Sequence, residues 1–461
     1  MFEYLQYLSN NFFILVCIQY HCFSEFVMYF IGHIDFNTCI NNIVNKCIRQ
    51  NILFVKVFQS MTSGNILPKT IIDIFKKNTH SVVYTDDELN TELLNDVIIK
   101  YNIKLFDPYQ KPFHSGMVSV AYFGEMSDGD GDGDGKKKVI VKLKRNNIAN
   151  RIKQGSENVS FIYNLLCFMF YMNRQIINKL DSVKSITKTT GYLVSQCDFE
   201  KEIIAIRTTI DELKQYSICE NIIVPSVYNT EEDSVSPEFI ILEYLDGKFP
   251  TDICDIEERK QYLNLFVKFV SIQTWFFTYF HTDLHNGNII CIKNEDDDCC
   301  CDVECSSSEP VKTTPSYKIG IIDFGMNMNL NPEIKSSLQF FSDTMFTTDD
   351  IHDVKLSKHI NRFLLEPINI SKLDKQDLDC IDKSVLELLI LMKKGTLVEN
   401  DVNTIFEQIS KKLNTPLILN MEFVLILLSM SMAQSTSFIL ANHDIVVLEK
   451  TFKNVYFEIM E

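Results

Sequence analysis

Two short polar segments constrain the possible folds of this chain more than any other feature. The first reads His281-Thr282-Asp283-Leu284-His285-Asn286-Gly287-Asn288, and the second reads Asp323-Phe324-Gly325. Phosphoryl transfer from ATP needs one carboxylate to orient or deprotonate the acceptor, and an Asn and a second Asp to hold magnesium against the phosphates. Asp283, Asn288 and Asp323 have the residue types and the order for these roles. The apolar runs after Asn288 and before Asp323 predict a hairpin beneath them.

A lysine upstream completes this pattern. Val139-Ile140-Val141-Lys142 predicts a strand that ends in a cation, which can reach the α- and β-phosphates of a nucleotide as a point charge. Its partner should be a glutamate on a helix. Four such pieces in this order favour a kinase-like site over coincidence.

The two polar segments resemble the UbiB family of atypical kinases, also called aarF-domain or ABC-one kinases, which share the protein-kinase-like fold. The first segment is similar to the family's H-x-D-P-H-P-G-N, with Leu284 and Asn286 in place of the prolines. Asp323-Phe324-Gly325-Met326 resembles the family's D-F-G-M.

Three further segments extend the resemblance. Residues 196–203 are similar to the family's E-x-D-x-x-x-E-A, with Gln196 replacing the first Glu, which implies that Glu202 pairs with Lys142. Residues 116–123 resemble the Ala-rich phosphate loop and retain its serine as Ser119. Residues 56–59 resemble K-x-G-Q, with Phe58 at the glycine. In the family, the Lys and Gln corresponding to Lys56 and Gln59 cover the site where a protein substrate would dock; the residue pattern alone favours exposed positions on an amphipathic helix.

The resemblance implies ATP and magnesium as cofactors. It also implies that the chain is an atypical kinase or ATPase acting on a small-molecule or lipid-linked acceptor. No Ala-Pro-Glu follows Asp323, and the nearest analogue is Asn331-Pro332-Glu333, too close for a full peptide-docking segment. Two alternatives stay open: a pseudokinase-like nucleotide-binding regulatory module and a serine/threonine protein kinase.

The predicted fold is α+β, a bilobal protein-kinase-like fold with ATP between the lobes. We expect an N-terminal helical extension over 1–110, a kinase-like N-lobe with inserted helices over 111–250, and a C-lobe with C-terminal helices over 251–461. Periodicity predicts only helices after residue 333. The predicted strands are Val118–Phe123, Val139–Leu143, Phe239–Glu243, Asn288–Ile292 and Lys318–Ile322, and the predicted helices are 156–180, 198–214 and 258–280.

Charge and cysteine content restrict the partners and the compartment. The 61 acidic and 44 basic residues give a formal charge of -17, which excludes a broad nucleic-acid footprint. The 14 cysteines follow no regular framework and no cationic leader is evident, so we expect reduced thiols and a cytoplasmic protein.

Membrane contact stays open at this stage. The apolar run Phe12–Ile18 is far shorter than the roughly 20 residues that span a bilayer, which favours a packed or interfacial helix. The charge-free stretch Phe423–Asn442 is interrupted by serines and a threonine, which favours a buried helix over a membrane span.

For most of the remaining features, local chemistry favours a structural role over metal binding or catalysis. The Asp-Gly insert 128–138 predicts a solvated hairpin tip, because Val139 stands where a calcium loop needs a carboxylate. The Cys-rich insert 294–316 predicts an acidic loop, since adjacent thiols cannot share one tetrahedral metal. For His281, bracing the loop is favoured over proton transfer, and His285 stays open between a brace and a substrate contact.

Overall fold

The computed structural model describes residues 2–62, 68–127, 136–169, 190–235, 237–294, 316–347, 371, 373–393 and 421–460. The chain divides into two compact units: unit 1 contains residues 1–203 and 226–244, and unit 2 contains residues 204–225 and 245–461. The expected boundaries at residues 110 and 250 stay predictions. Most of the two inserts, 128–135 and 295–315, lies outside the described residues, while Lys136–Lys138 belong to a strand.

Helices and short strands are interspersed along the described part of the chain. The helices are α1 (Phe2–Phe30), α2 (Phe36–Gln50), α3 (Phe54–Thr62), α4 (Lys69–His80), α5 (Thr91–Lys100), α6 (Ile148–Met169), α7 (Thr190–Ser195), α8 (Phe199–Leu213), α9 (Ile256–Trp275), α10 (Pro332–Thr347), α11 (Lys375–Lys393), α12 (Met421–Leu440) and α13 (Ile445–Met460). The strands are β1 (Ile103–Leu105), β2 (His114–Ser115), β3 (Ser119–Ser127), β4 (Lys136–Lys144), β5 (Ile222–Ile223), β6 (Phe239–Glu243), β7 (Tyr279–His281), β8 (Ile289–Asn294), β9 (Ser316–Ile321) and β10 (Asn327–Asn329).

Unit 1 contains an antiparallel sheet with the order β1-β3-β4-β6, and β2 pairs with β3. Side chains alternate along β4: Val139, Val141 and Leu143 are buried in a core shared with α5. Because neighbouring strand residues point to opposite faces, Lys142 lies on the other face. Its backbone position is fixed between Ala121 and Ile240 on the flanking strands.

The N-terminal helices of unit 1 form a second apolar core. Residues of α2, α3, α4 and α6 bury one cluster of side chains together with Met117 and Val118, which connect β2 to β3. This packing joins the helical extension to the loop that resembles a phosphate loop.

Unit 2 is built around the buried helix α9. Asp255 caps its N-terminus by accepting a hydrogen bond from the Glu258 backbone at 2.7 Å, so the helix begins at a residue with the preferred capping chemistry. Strands β8 and β9 form an antiparallel hairpin, and β5 adds to β9 in parallel. Strands β7 and β10 pair separately. The predicted hairpin between the two polar segments is therefore confirmed.

The predicted strands all occur, with shifts of a few residues at their ends. After residue 333 the described elements are all helices, as predicted. Two helix boundaries were wrong. The helix predicted over 258–280 ends at Trp275, and Tyr279–His281 form β7. The helix predicted from residue 156 already begins at Ile148. The first error arises because apolar residues continue past Trp275 and do not mark the helix end, and the second because a mostly polar stretch, 149–156, extends the helix before the apolar pattern. Residues 170–180 of the second pattern lie outside the described residues.

The two apolar segments have opposite surroundings. Helix α12 buries Leu425, Ile426 and Ala433, which confirms a packed helix for the charge-free stretch. In α1, the segment Ser9–Phe30 is long and apolar enough to cross a membrane by length and composition, and only 6% of it is buried. The run Phe12–Ile18 lies inside this longer segment, and the packed or interfacial helix expected there stays a prediction.

Candidate active site

A buried ion pair occupies the polar face of β4 in unit 1. The Nζ atom of Lys142 lies 2.8 Å from Oε1 and 3.1 Å from Oε2 of Glu202, in the first turn of α8. The Glu202 side chain is 1% exposed and the Lys142 side chain 15%. Lys142 Nζ also lies 5.6 Å from the centre of the Phe199 ring. The structure thus brings together the two residues that the resemblance paired.

Ser119 starts β3 beside this pair. It lies opposite Lys144, two residues from Lys142, and its carbonyl accepts a hydrogen bond from the Gly116 amide at 2.9 Å. The segment 116–118 is therefore the tight turn between β2 and β3. The bulky residues at this turn, Met117 and Val118, are buried where the family's loop carries alanines.

Lys56 and Gln59 lie on α3. They are three residues apart, so they share one face of the helix, and both are partly buried. Phe58, at the position of the family's glycine, faces the apolar core, with its ring centre 4.7 Å from that of Phe75. The large side chain thus packs away from the Lys56 and Gln59 face.

In unit 2, a loop after β7 carries Asp283. The Asp283 amide donates to His281 Nδ1 at 3.2 Å, and the Asp283 carbonyl accepts from Asn288 Nδ2 at 2.8 Å. The Thr282 amide donates to the Met326 carbonyl at 3.0 Å. Both ends of the Asp283 peptide are therefore held, while its side chain stays partly exposed.

His281 is a buried brace in this loop. Its Nε2 lies 3.2 Å from the Ile322 carbonyl, and its ring meets the Phe324 ring edge-on with 4.9 Å between centres. Since Nδ1 accepts from Asp283, Nε2 must carry the proton that goes to Ile322. Burial lowers the pKa of His281 despite the nearby Asp283 and Asp323 carboxylates. A neutral side chain with both ring nitrogens bonded to backbone groups matches the bracing role.

The same contacts place Asp323 beside the loop. Ile322 donates its amide to the Asn288 carbonyl at 3.0 Å and accepts from His281, so the residue before Asp323 is bonded on both sides. Asp323 itself has a φ of 60° and an exposed side chain. Left-handed backbone is uncommon outside glycine and is kept where the surroundings enforce it, often at functional sites. Unit 2 thus brings Asp283, Asn288 and Asp323 together.

The donor set of this loop fits a magnesium ion bound with phosphates. Asn288 is 5% exposed and uses Nδ2 for Asp283, which leaves Oδ1 to bind a cation. Magnesium is usually held by one or two carboxylates with phosphate oxygens and water. Within the described ranges no group of three or more His, Cys, Asp or Glu could hold a metal by itself. Oxygen atoms of Asn288 and Asp323 therefore suit an ion whose other ligands come from a nucleotide.

His285 faces Asp283 from the same loop. Its Nδ1 accepts from the Gly287 amide at 3.0 Å, and its Nε2 lies 3.7 Å from Asp283 Oδ2. The ring is 45% exposed. The first contact is a brace, and the second directs an N–H toward the carboxylate.

Sequence reasoning missed Gln273. Its Oε1 accepts from the His281 amide at 3.1 Å, and the residue is 1% exposed within α9. A buried amide in an apolar helix was the available signal, because such a group needs a partner.

The family model for the ABC1 atypical kinase-like domain matches residues 90–355. No curated protein matches the chain. Among solved structures, the Rv3197–erythromycin complex from Mycobacterium tuberculosis is 14% identical, with a TM-score of 0.40, covering 80% of this chain and 82% of that chain. The Rio2 kinase–ADP/Mg2+–phosphoaspartate complex from Chaetomium thermophilum is 12% identical, with a TM-score of 0.30, covering 78% and 95%. The family model covers more than half of this chain. The chain therefore belongs to the ABC1 atypical kinase-like family and has an α+β kinase-like fold.

Proposed function

We propose that the protein is an ATP- and magnesium-dependent atypical kinase or ATPase that acts on a small-molecule or lipid-linked acceptor. The buried Lys142–Glu202 ion pair carries this proposal. In kinases an ion pair of this kind must be in place to hold the α- and β-phosphates. Burying a lysine with a glutamate is costly, so a pair kept at 2.8 Å supports a role in binding phosphate.

The remaining roles are assigned to residues of each unit. Asn288 and Asp323 would hold magnesium, which neutralises charge on the phosphates when bound. Asp283 would orient the acceptor or take its proton, since its backbone is held while its carboxylate is accessible. Ser119 would contribute to the phosphate loop. Lys56 and Gln59, on one face of α3, would cover the acceptor site.

The acceptor class rests on the segment after Asp323. Strand β10 ends at Asn329, and α10 begins at Pro332, where Asn331 Oδ1 caps the Glu333 amide at 2.9 Å. Proline in the first turn of a helix is a common start signal. The short connection supports a small acceptor over a peptide.

The surface of unit 1 supports contact with a membrane, which we propose together with a cytoplasmic location. Helix α1 exposes aromatic side chains, among them Phe13, Tyr20, Phe23 and Phe30 at 66–80%. Glu25 is the one charged residue in Ser9–Phe30, and it is turned toward Lys46 and Asn42 of α2. The cysteines within the described residues are free, which supports a reducing compartment.

Nucleotide binding is the first test. Thermal unfolding of the full chain should be followed with ATP, with and without magnesium, for the wild type and Asp323→Asn. Ligand at about 100 times its Kd stabilises by roughly 2.7 kcal/mol, enough to detect. We expect a magnesium-dependent rise in Tm that Asp323→Asn removes and that the control Asp211→Asn, at an exposed surface carboxylate, retains.

Turnover separates the enzyme from its alternatives. Phosphate release from ATP should disappear in Asp283→Asn while ATP still raises Tm. Binding without turnover in the wild type would favour the pseudokinase-like module. Transfer of labelled phosphate to protein, lost in Asp283→Asn, would favour a protein kinase. Absence of any shift in folded wild type would refute the proposed function.

A further inference from the structure

Two hydroxyl groups of α12 hold the loop that carries Asp283. Ser429 Oγ donates to the His281 carbonyl at 2.9 Å, and Thr436 Oγ1 donates to the Leu284 carbonyl at 3.1 Å. Ser429 is fully buried and Thr436 is 1% exposed. These carbonyls lie on either side of Asp283, so one helix holds the loop at two points around the reacting carboxylate.

The spacing of the two residues suits the loop. Seven residues in a helix are two turns, or roughly 10.5 Å along the axis. Ser429 and Thr436 therefore lie on one face of α12, from which both hydroxyl groups reach the segment between positions 281 and 284.

Other hydroxyls of this chain behave differently. Ser337, Ser384 and Thr451 lie within helices and donate to the carbonyl four residues earlier in their own helix. This is the default for serine and threonine inside helices. Ser429 and Thr436 instead donate to a loop that is 148 and 152 residues away in the sequence. The hydroxyl groups of Ser429 and Thr436 thus bond to carbonyl groups of the loop and not to carbonyl groups of their own helix.

The loop backbone needs these partners. The His281 amide is held by Gln273, and Asn288 holds the Asp283 carbonyl. The His281 and Leu284 carbonyls are bonded by α12. A buried carbonyl without a partner is costly, so loss of either hydroxyl should let the loop shift to find another donor.

We propose that Ser429 and Thr436 are positioning residues for Asp283, which makes α12 part of the catalytic apparatus. Helix α12 lies beyond residues 90–355, the range of the family model. The inference rests on the proposed function, because it assigns a role in turnover. A displacement of about 1 Å can lower a rate roughly a hundredfold, so small shifts of the loop matter.

The experiment compares variants of the full chain in ATP turnover with magnesium. Thr436→Val removes the hydroxyl at similar volume, Thr436→Ser keeps it, and Ser429→Ala removes the other. Ser435→Ala, at an exposed position of the same helix, is the matched control. We expect Thr436→Val and Ser429→Ala to lower kcat by roughly tenfold or more, with KM for ATP within about twofold. Thr436→Ser and Ser435→Ala should keep the kcat of the wild type.

The outcomes separate the two proposals. Wild type without turnover would refute the proposed enzyme and this inference with it. Active wild type with unchanged kcat in both hydroxyl-free variants would refute the inference alone. A lower Tm with unchanged kcat well below the transition would mean that the hydroxyls only stabilise the fold, which also refutes it. If Thr436→Val does not fold, Ser429→Ala and Thr436→Ser carry the comparison.

Discussion

At the scale of single residues, Lys142 and Glu202 depend on each other. Lys142→Met leaves the Glu202 carboxylate buried without its cation, which should lower the free energy of unfolding by about 3 kcal/mol. It should also remove the rise in Tm with ATP and magnesium. Lys144→Met is the matched control, because it removes a second lysine from the same face of β4. The partner of Lys144, Glu238, has a side chain that is 60% exposed. Urea unfolding and thermal shift measure the two effects.

The double variant provides an independent check on this pair. Lys142→Met with Glu202→Gln should recover part of the lost stability, because no buried charge is left without a partner. It should not recover ATP binding. Equal losses of stability for Lys142→Met and Lys144→Met would contradict the prediction that the burial of Glu202 makes the loss of Lys142 more costly.

His281 should make stability depend on pH. Burial lowers the pKa of His281 in the folded chain, whereas the side chain in the unfolded chain has a pKa of about 6.5. Below about pH 6.5 the unfolded state binds the proton more readily, so this contribution to stability is present at higher pH and is lost as pH falls. We expect the free energy of unfolding to fall as the pH is lowered from 7.5 to 5.5.

Variants assign that slope to one histidine. His281→Gln should flatten the pH dependence of urea unfolding, while His285→Gln, at a half-exposed ring, should keep it. Asp283, Asp323 and His285 also act on the charge of His281. A slope that survives His281→Gln would show that another group causes it.

At the scale of elements, α1 should decide membrane binding. Its exposed rings lie on a helix with a single charged residue between Ser9 and Phe30, so insertion into the interface of neutral vesicles is expected. Phe23→Ser with Phe30→Ser should reduce co-flotation of the full chain with phosphatidylcholine vesicles severalfold. Tyr109→Ser, which removes an 80% exposed ring outside α1, is the control. Equal flotation of both variants would contradict this role.

At the scale of the whole molecule, the formal charge of -17 predicts no nucleic-acid binding. Proteins that bind DNA without specificity reach dissociation constants of roughly 1–100 µM at physiological salt. Fluorescence anisotropy with a labelled 20-base-pair duplex should therefore show no binding at up to about 10 µM protein. Binding that weakens steeply with added salt would overturn the prediction.

The sequence by itself determined the elements and the chemistry of the loop. The apolar run before Lys142 predicted β4, and the order of Asp283, Asn288 and Asp323 indicated phosphoryl transfer. These features depend on residues near one another in the chain, where periodicity and spacing act directly. Helix ends were less predictable, because Phe276, Phe277 and Phe280 continue the apolar pattern of α9 into β7.

Only the tertiary structure decided which residues complete the site. Lys142 meets Glu202 across 60 positions, and the donors of α12 come from about 150 positions away. The tautomer of His281 likewise depends on the Ile322 carbonyl, 41 positions on. No local pattern encodes such contacts, because they form when buried polar groups of distant segments must find partners in one core.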